Sequence, residues 1–196
     1  TIEDAKRLLE KYNIKDMFSF NETPKEEKYF EKVTNIPFVS NKEALRAMEE
    51  EGKKRGYEVI SLGDEMYDNP DTFLGKAKAA LKPKSVVIAG GELSIALTHE
   101  GGVGGRNFYI ASRGLDVIGE EDTLITFASD GIDNKSIGAG AIVDKETKKK
   151  LAERNLNWKD FHDQDKDSEL FIEINDAVIT GDTGSNVSDL YLMLRN

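Results

Sequence analysis

Apolar positions along the chain recur with two periods that alternate. Over residues 1–12, Ile2, Ala5, Leu8, Leu9 and Tyr12 fall on one helical stripe, which predicts an amphipathic helix of about three turns. From residue 13 to 33 the pattern breaks up around Glu22-Thr23-Pro24-Lys25 and the charged run Lys25-Glu26-Glu27-Lys28, as expected of an irregular arm. The periods then begin to switch. Residues 36–39 read as a strand, Ser40 to Glu43 has the form of a capping box, and Ala44, Leu45, Met48 and Gly52 give the buried side of a helix that Gly56 ends. Residues 57–62 read as a second strand. Asn69-Pro70 supplies an N-cap with proline at the first helical position, for a helix burying Phe73, Leu74, Ala77, Ala80 and Leu81 and stopped by Pro83. Residues 85–89 are almost all apolar, which predicts a central strand covered on both faces and parallel to its neighbours.

Beyond Ala89 the chain turns glycine-rich. Residues 92–98 suggest a short strand or hairpin arm, 101–107 a loop, and 107–117 a helix with Phe108, Ala111, Leu115 and Ile118 inward. A strand follows at 123–128, a short apolar piece at 139–143, a charged surface helix at 145–154, a helix at 167–174 and closing strands at 177–180 and 190–194. The alternation predicts an α/β fold: a layered domain with a mixed, largely parallel β-sheet flanked by helices, over residues 34–196. An N-terminal helix and lead-in arm at 1–33 precede it.

Composition narrows the function classes. With 27 Lys+Arg against 37 Asp+Glu, the formal net charge of −10 argues against a broad nucleic-acid-binding face, although a local basic pocket stays compatible with it. No apolar run approaches the roughly 18 residues of a membrane helix, and the charged N-terminal segment does not read as a secretory signal, so the cytoplasm is the expected compartment. The absence of cysteine excludes disulfides, thiolate zinc sites and cysteine nucleophiles. His99 and His162 have no partner at metal-ligand spacing and read as surface or core residues. Asp163, Asp165 and Asp167 open like a calcium loop, but Ser168 stands where the glycine belongs and Ile174 where the bidentate glutamate belongs.

Candidate chemistry lies in four turns: Gly90-Gly91-Glu92, residues 101–107, Ser129-Asp130-Gly131-Ile132-Asp133, and Gly181-Asp182-Thr183-Gly184-Ser185-Asn186. In open α/β sheets ligands bind beyond the carboxyl ends of strands, where several of these turns fall. Glycine lets backbone N–H groups face an anion, and Gly104-Gly105-Arg106-Asn107 adds a helix N-terminus and a guanidinium fork. A flexible hairpin tip is the alternative. Asp130, Asp133, Asp182 and Asp189 sit in or beside these turns, where an acidic pair next to a phosphate could recruit Mg²⁺ or could simply cap a turn. Neither a P-loop nor a dinucleotide-binding glycine motif is present.

The order of motifs carries a resemblance. Val87-Ile88-Ala89-Gly90-Gly91-Glu92, Gly104-Gly105-Arg106-Asn107, Ser129-Asp130-Gly131-Ile132-Asp133, Gly138-Ala139-Gly140-Ala141-Ile142-Val143-Asp144 and the run from Thr180 to Leu190 resemble the C-terminal, MOFRL region of the glycerate 2-kinase family. Glu22-Thr23-Pro24-Lys25 resembles the stretch leading into it. Some members of the family carry the older label hydroxypyruvate reductase. The resemblance implies an ATP-dependent glycerate kinase using a divalent metal, here Mg²⁺, with D-glycerate and ATP as ligands. It implies that Arg106 lines the interdomain active site and that Asp130 and Asp189 lie in neighbouring loops, without fixing their roles; on the chemistry of the residues, Arg106 and Asp130 are the catalytic candidates and Asp130 and Asp189 the metal candidates. For substrate or phosphate binding the glycine-rich turns offer Gly90, Gly91, Glu92, Gly104, Gly105, Asn107, Thr183, Ser185 and Asn186.

The sequence also departs from the family pattern. Phe108-Tyr109 replace a usual Gln-Glu pair, Asp182 a usual proline and Asn134 a usual glycine. Family members carry a further N-terminal domain with a lysine implicated in catalysis, and that domain is missing here, so the expected partner is the N-terminal kinase domain. Two readings follow: the C-terminal domain of a glycerate kinase, inactive without its other half, or a stand-alone anion- or nucleotide-binding module. A homodimer stays open.

Overall fold

The computed structural model describes residues 1–14, 19–95 and 105–196. Gly104, His99 and most of the expected 101–107 loop lie outside these residues, as does the second half of the expected 92–98 strand. The chain divides into two compact units, residues 1–38 and 39–196.

The first unit holds α1 (Ile2–Lys11), capped by Thr1, whose side chain accepts the Asp4 N–H while Asp4 reaches back to the cap. A single 3₁₀ turn at Glu27–Tyr29 follows. Residues 36–39, expected as a strand, are not one. Pro37 removes a ladder donor from the middle of that run, and Ile36 and Phe38 stand 77% and 91% exposed.

The second unit runs α2 (Asn41–Lys54), β1 (Glu58–Ser61), α3 (Pro70–Ala80), β2 (Ser85–Gly91), α4 (Arg106–Gly114), β3 (Asp122–Ala128), β4 (Gly140–Val143), α5 (Lys145–Glu153), α6 (Trp158–His162), α7 (Asp167–Glu173), β5 (Ala177–Val178) and β6 (Asp189–Arg195). The start signals work as the sequence says. Ser40 and Glu43 form the capping box of α2, and Asn69 accepts the Thr72 N–H at the start of α3, with Pro70 at the first position. The five-residue α6 has no apolar period to announce it; Asn157 caps it by accepting the Lys159 N–H.

The sheet order is β1-β2-β6-β3-β4-β5. The layered, mixed α/β class holds, but the expected predominance of parallel pairs does not: only β1 and β2 are parallel, and the other four pairings are antiparallel. Parallel neighbours need a crossover element between them. That condition is met between β1 and β2 by α3, whereas β3 reaches β4 through a loop alone, which forces an antiparallel pair. The C-terminal strand β6 then enters between β2 and β3, pairing all seven of its residues with both. Its sequence, Leu190-Tyr191-Leu192-Met193-Leu194, is apolar on both faces, as a central strand requires.

The two faces are covered unequally. On one, α3, α4 and α7 bury Phe73, Leu74, Phe108, Ile110, Leu170 and Phe171 against Val87, Leu124, Tyr191 and Met193. On the other, α2 sets Leu45 against Val86, Ile88 and Leu190.

At the end of the sheet opposite the glycine-rich turns, Asp122 is fully buried. Arg195 Nε donates to it at 2.7 Å, the Gly119 N–H at 2.7 Å, and Lys78 makes a third contact. Burial opposes its charge, but the hydrogen bonds from Arg195, Lys78 and Gly119 overcome that and hold the carboxyl well below the usual range. A depressed carboxylate contributes stability above its unfolded pKa of about 4, and that contribution fades as pH falls toward the folded value. Asp122→Asn is therefore expected to cost about 3 kcal/mol at pH 7 in urea unfolding, with the gap to the unmodified chain narrowing below about pH 4.

Candidate active site

The antiparallel entry of β6 sets the geometry. Its first residue, Asp189, lies opposite Gly91 on one side and Ala128 on the other, the last residues of β2 and β3. The turns that leave β2 and β3 and the turn that enters β6 therefore meet at one end of the sheet, in the crevice position of an open α/β sheet.

Helix α4 is fixed to this crevice by a carboxylate. Asp133 accepts the Phe108 N–H at 3.0 Å and the Asn107 side-chain amide at 3.3 Å, so an internal anion occupies the helix N-terminus. Glycine at position 105 is what admits it: a Cβ there would stand 2.3 Å from Asp133 Oδ1. Burial pushes the Asp133 carboxyl up to about 6, against the hydrogen bonds of α4, which favour the charged form.

Arg106, the first residue of α4, turns back toward the end of β6. Its Nε donates to Asp189 Oδ2 at 2.6 Å, and its guanidinium lies 3.6 Å from Glu92 Oε2. Asp189 also accepts the Tyr191 hydroxyl at 3.2 Å, and that hydroxyl accepts the Leu93 N–H at 3.3 Å. Burial raises the Asp189 carboxyl, and Arg106 opposes the shift. Burial raises the Tyr191 phenol as well, so it stays a protonated donor.

The turn after β3 interlocks with the turn before β6. Asp130 accepts the Ile132 N–H and the Asn186 amide, each at 3.1 Å. Thr183 binds the Ser129 carbonyl at 2.6 Å and donates its own N–H to the Asp130 carbonyl, while the Val187 N–H donates to Ser129 Oγ at 2.7 Å. Gly131 sits at φ +92°, and a Cβ on it would meet the Gly181 carbonyl at 1.9 Å.

These turns enclose a cavity of about 370 Å³ lined by Glu92, Arg106, Asp130, Asp133, Asn186 and Asp189, with Ser129 and Ser188 between them. Of the residues singled out in the sequence, Arg106, Asp130, Asp133, Asp189, Glu92 and Asn186 share this cavity. Six of the other described candidates serve the frame around it. Gly90 and Gly91 are buried in the end of β2, close against the Asn41 side chain and the Met66 backbone. Gly105 makes room for Asp133, Asn107 is buried beneath Arg106, and Thr183 and Ser185 hold the turn together. Asp133 carries more of the site than its place among the turn aspartates suggested, and Tyr191 escaped notice. The period of a strand could have found Tyr191, since it lies two residues after Asp189 and so on the same face.

Among the described residues no group of three or more acidic or histidine side chains could hold a metal by itself. Asp189 does not fit a metal, because Arg106 already neutralises it at 2.6 Å. Asp130, on the cavity wall with only neutral partners among the described residues, fits a metal that arrives with a phosphate. His162 lies away from this cavity, its Nδ1 2.8 Å from Asp167 Oδ1 and its ring between Tyr109 and Trp158. No helix of the described residues is long and apolar enough to cross a membrane.

Fold and crevice together define an α/β domain with a candidate site at the strand ends, organised around a part-buried arginine–carboxylate pair. The profile of the MOFRL family matches residues 85–189, and the chain belongs to that family. It is 28% identical to a glycerate 2-kinase of Pyrococcus horikoshii over 99% of its own length and 49% of that protein's. It is 30% identical to a D-glycerate 2-kinase of Thermotoga maritima, over 99% and 50% respectively. A crystal structure of a Pyrococcus horikoshii protein superposes with a TM-score of 0.74 at 25% identity, over 99% of this chain and 50% of that one. The chain thus spans about half the length of the curated relatives it matches.

Because a Cβ at position 105 would displace Asp133 from α4, Gly105→Ala is expected to destabilise the chain by roughly 2 kcal/mol in thermal or urea unfolding. A ¹³C carboxyl titration of the unmodified chain is expected to place the Asp133 midpoint near 6.

Proposed function

We propose that the chain is the C-terminal part of an ATP-dependent glycerate kinase and supplies one wall of its active site. The family and the kinase names of its relatives support the reaction class. The observation that carries the reading is the charge of the cavity. Among its described lining residues one guanidinium, Arg106, faces four carboxyls, Glu92, Asp130, Asp133 and Asp189. A wall with that balance repels a bare nucleotide or carboxylate and accepts one whose charge is offset by metal ions and by cations from elsewhere. This disfavours the stand-alone anion-binding module.

In the proposed reaction a hydroxyl of D-glycerate attacks the γ-phosphorus of ATP, the bond to ADP breaks, the hydroxyl proton is released and phosphoglycerate forms. The relatives' names, glycerate 2-kinase, point to the 2-hydroxyl as the acceptor. Such transfer depends mainly on positioning and charge neutralisation. Arg106 is placed to bind the glycerate carboxylate or the charge of the transferring phosphoryl group. Its exchange from Asp189 to an incoming anion swaps one ion pair for another in the same partly buried place. Asp130, steadied by Asn186, would hold the Mg²⁺ that accompanies the nucleotide, whose charge would offset that of the phosphates. The remaining cationic groups belong to the N-terminal half that the relatives possess, which makes that half the chain's partner.

ADP release with ATP, Mg²⁺ and D-glycerate is expected to be absent for the chain alone. It should appear when the chain is joined behind the N-terminal half of the Thermotoga maritima enzyme. In that active form Arg106→Ala is expected to lower kcat/KM by roughly 10²- to 10³-fold. Near-normal kcat and KM would remove Arg106 from the mechanism. An inactive fusion, together with calorimetric binding of ATP or glycerate to the lone chain without metal, would establish the module reading instead.

A further inference from the structure

We infer that Tyr191 is a positioning residue, whose hydroxyl ties together the two chain segments whose carboxylates face Arg106 and so sets where its guanidinium rests. The inference rests on the proposed role of Arg106. The two carboxylates come from different places. Asp189 opens β6 and accepts Arg106 Nε at 2.6 Å, whereas Glu92, 3.6 Å from the guanidinium, follows the last residue of β2. The ladder between these strands ends at the pair Gly91 and Asp189, one residue short of Glu92. The Tyr191 side chain continues the tie where the backbone stops. Its hydroxyl accepts the Leu93 N–H, next to Glu92, at 3.3 Å and donates to Asp189 Oδ2 at 3.2 Å, the oxygen that also accepts Arg106 Nε.

A hydroxyl suits this place because it accepts one hydrogen bond and donates another without adding charge. Leu93 is fully buried, so its N–H needs an acceptor within the protein. The phenol is itself held firmly: Tyr191 is fully buried and its ring lies 5.0 Å from that of Phe73 in α3. Its side chain therefore cannot touch a ligand in the cavity and acts on one only through Arg106. When Arg106 turns to an incoming anion, as proposed, Asp189 keeps the Tyr191 hydroxyl as a donor and stays where the guanidinium can return to it. The other charged groups that share the cavity with Asp189 are Glu92 after β2 and Asp130 and Asp133 after β3, and a substitution at Tyr191 leaves all of them in the chain.

The test reads Arg106 itself, without requiring turnover. Tyr191→Phe keeps the ring and removes the hydroxyl. Acid that protonates Asp189 releases Arg106, and the Arg106 Nε–H resonance follows that release with pH. Losing a donor to the charged carboxylate favours its protonated form. In folded Tyr191→Phe, the midpoint of release is therefore expected to move up by about one pH unit, the scale of one hydrogen bond to a charged group. The Leu93 amide is expected to exchange with solvent about tenfold faster. The Arg113 Nε–H, bonded to Asp71 on the surface, serves as the control and is expected to be unaffected. An unmoved Arg106 midpoint overturns the inference even if Leu93 exchange rises, since the hydroxyl would then secure the end of β2 alone. Should the variant not fold, the unmodified chain decides: a Tyr191 hydroxyl proton and an Arg106 Nε–H that titrate with one midpoint support the inference, and separate midpoints overturn it. If the fusion assay shows no kinase activity while the Arg106 midpoint moves as expected, the positioning role stands apart from the reaction.

Discussion

The structure depends on its last strand in sequence lying between two earlier ones. Until β6 is in place, β2 and β3 have no partner in common, and seven residues of β6 must pair with both at once for the sheet to become continuous. The strand that completes the sheet also begins at the site. Its register brings Asp189 level with Gly91 and Ala128, so the same pairing that closes the core delivers a carboxylate to the ends of two strands that run the other way. Contacts between residues this far apart in sequence form against a large loop entropy. The crevice therefore rests on contacts of high sequence separation, the kind whose closure costs the most chain entropy.

From that alignment the electrostatics follow. Asp189 is buried and would be costly alone; Arg106 and the Tyr191 hydroxyl satisfy it, and the Leu93 N–H satisfies Tyr191 in turn. Asp133 meets a different need, serving donors of α4 that the helix itself cannot use. Two acids a short distance apart thus have separate employments, one holding an arginine and one holding a helix. Among the described residues, Asp130 is then the carboxyl at the cavity wall with no cation beside it.

Much of the fold was legible because helix signals are local. Ser40 with Glu43 and Asn69 with Pro70 announced α2 and α3, and the apolar run at 85–89 announced a covered strand. What local signals could not carry was the pairing of strands: Leu190 to Leu194 reads as a strand, but nothing in it says which neighbours it will choose. The run at 36–39 misled because apolarity outweighed the consequence of Pro37. At the site, motif order brought out Arg106, Asp130, Asp189, Glu92 and Asn186, which converge on the cavity. The same motifs gave no means to separate residues that face it from residues beneath them. Gly91 and Asn107 stand next to cavity residues in sequence and are nevertheless buried, a distinction that burial alone makes.

The contact between Gly131 and the Gly181 carbonyl reaches further than the local backbone. With Thr183 and Val187 bonded to Ser129 and Asp130 across the same seam, neither turn has a shape of its own. Each is the mould in which the other is cast. Divergence between relatives at this end of the sheet must then proceed in matched steps, and a loop transplanted from one relative into another would have to bring its counterpart with it to retain its conformation.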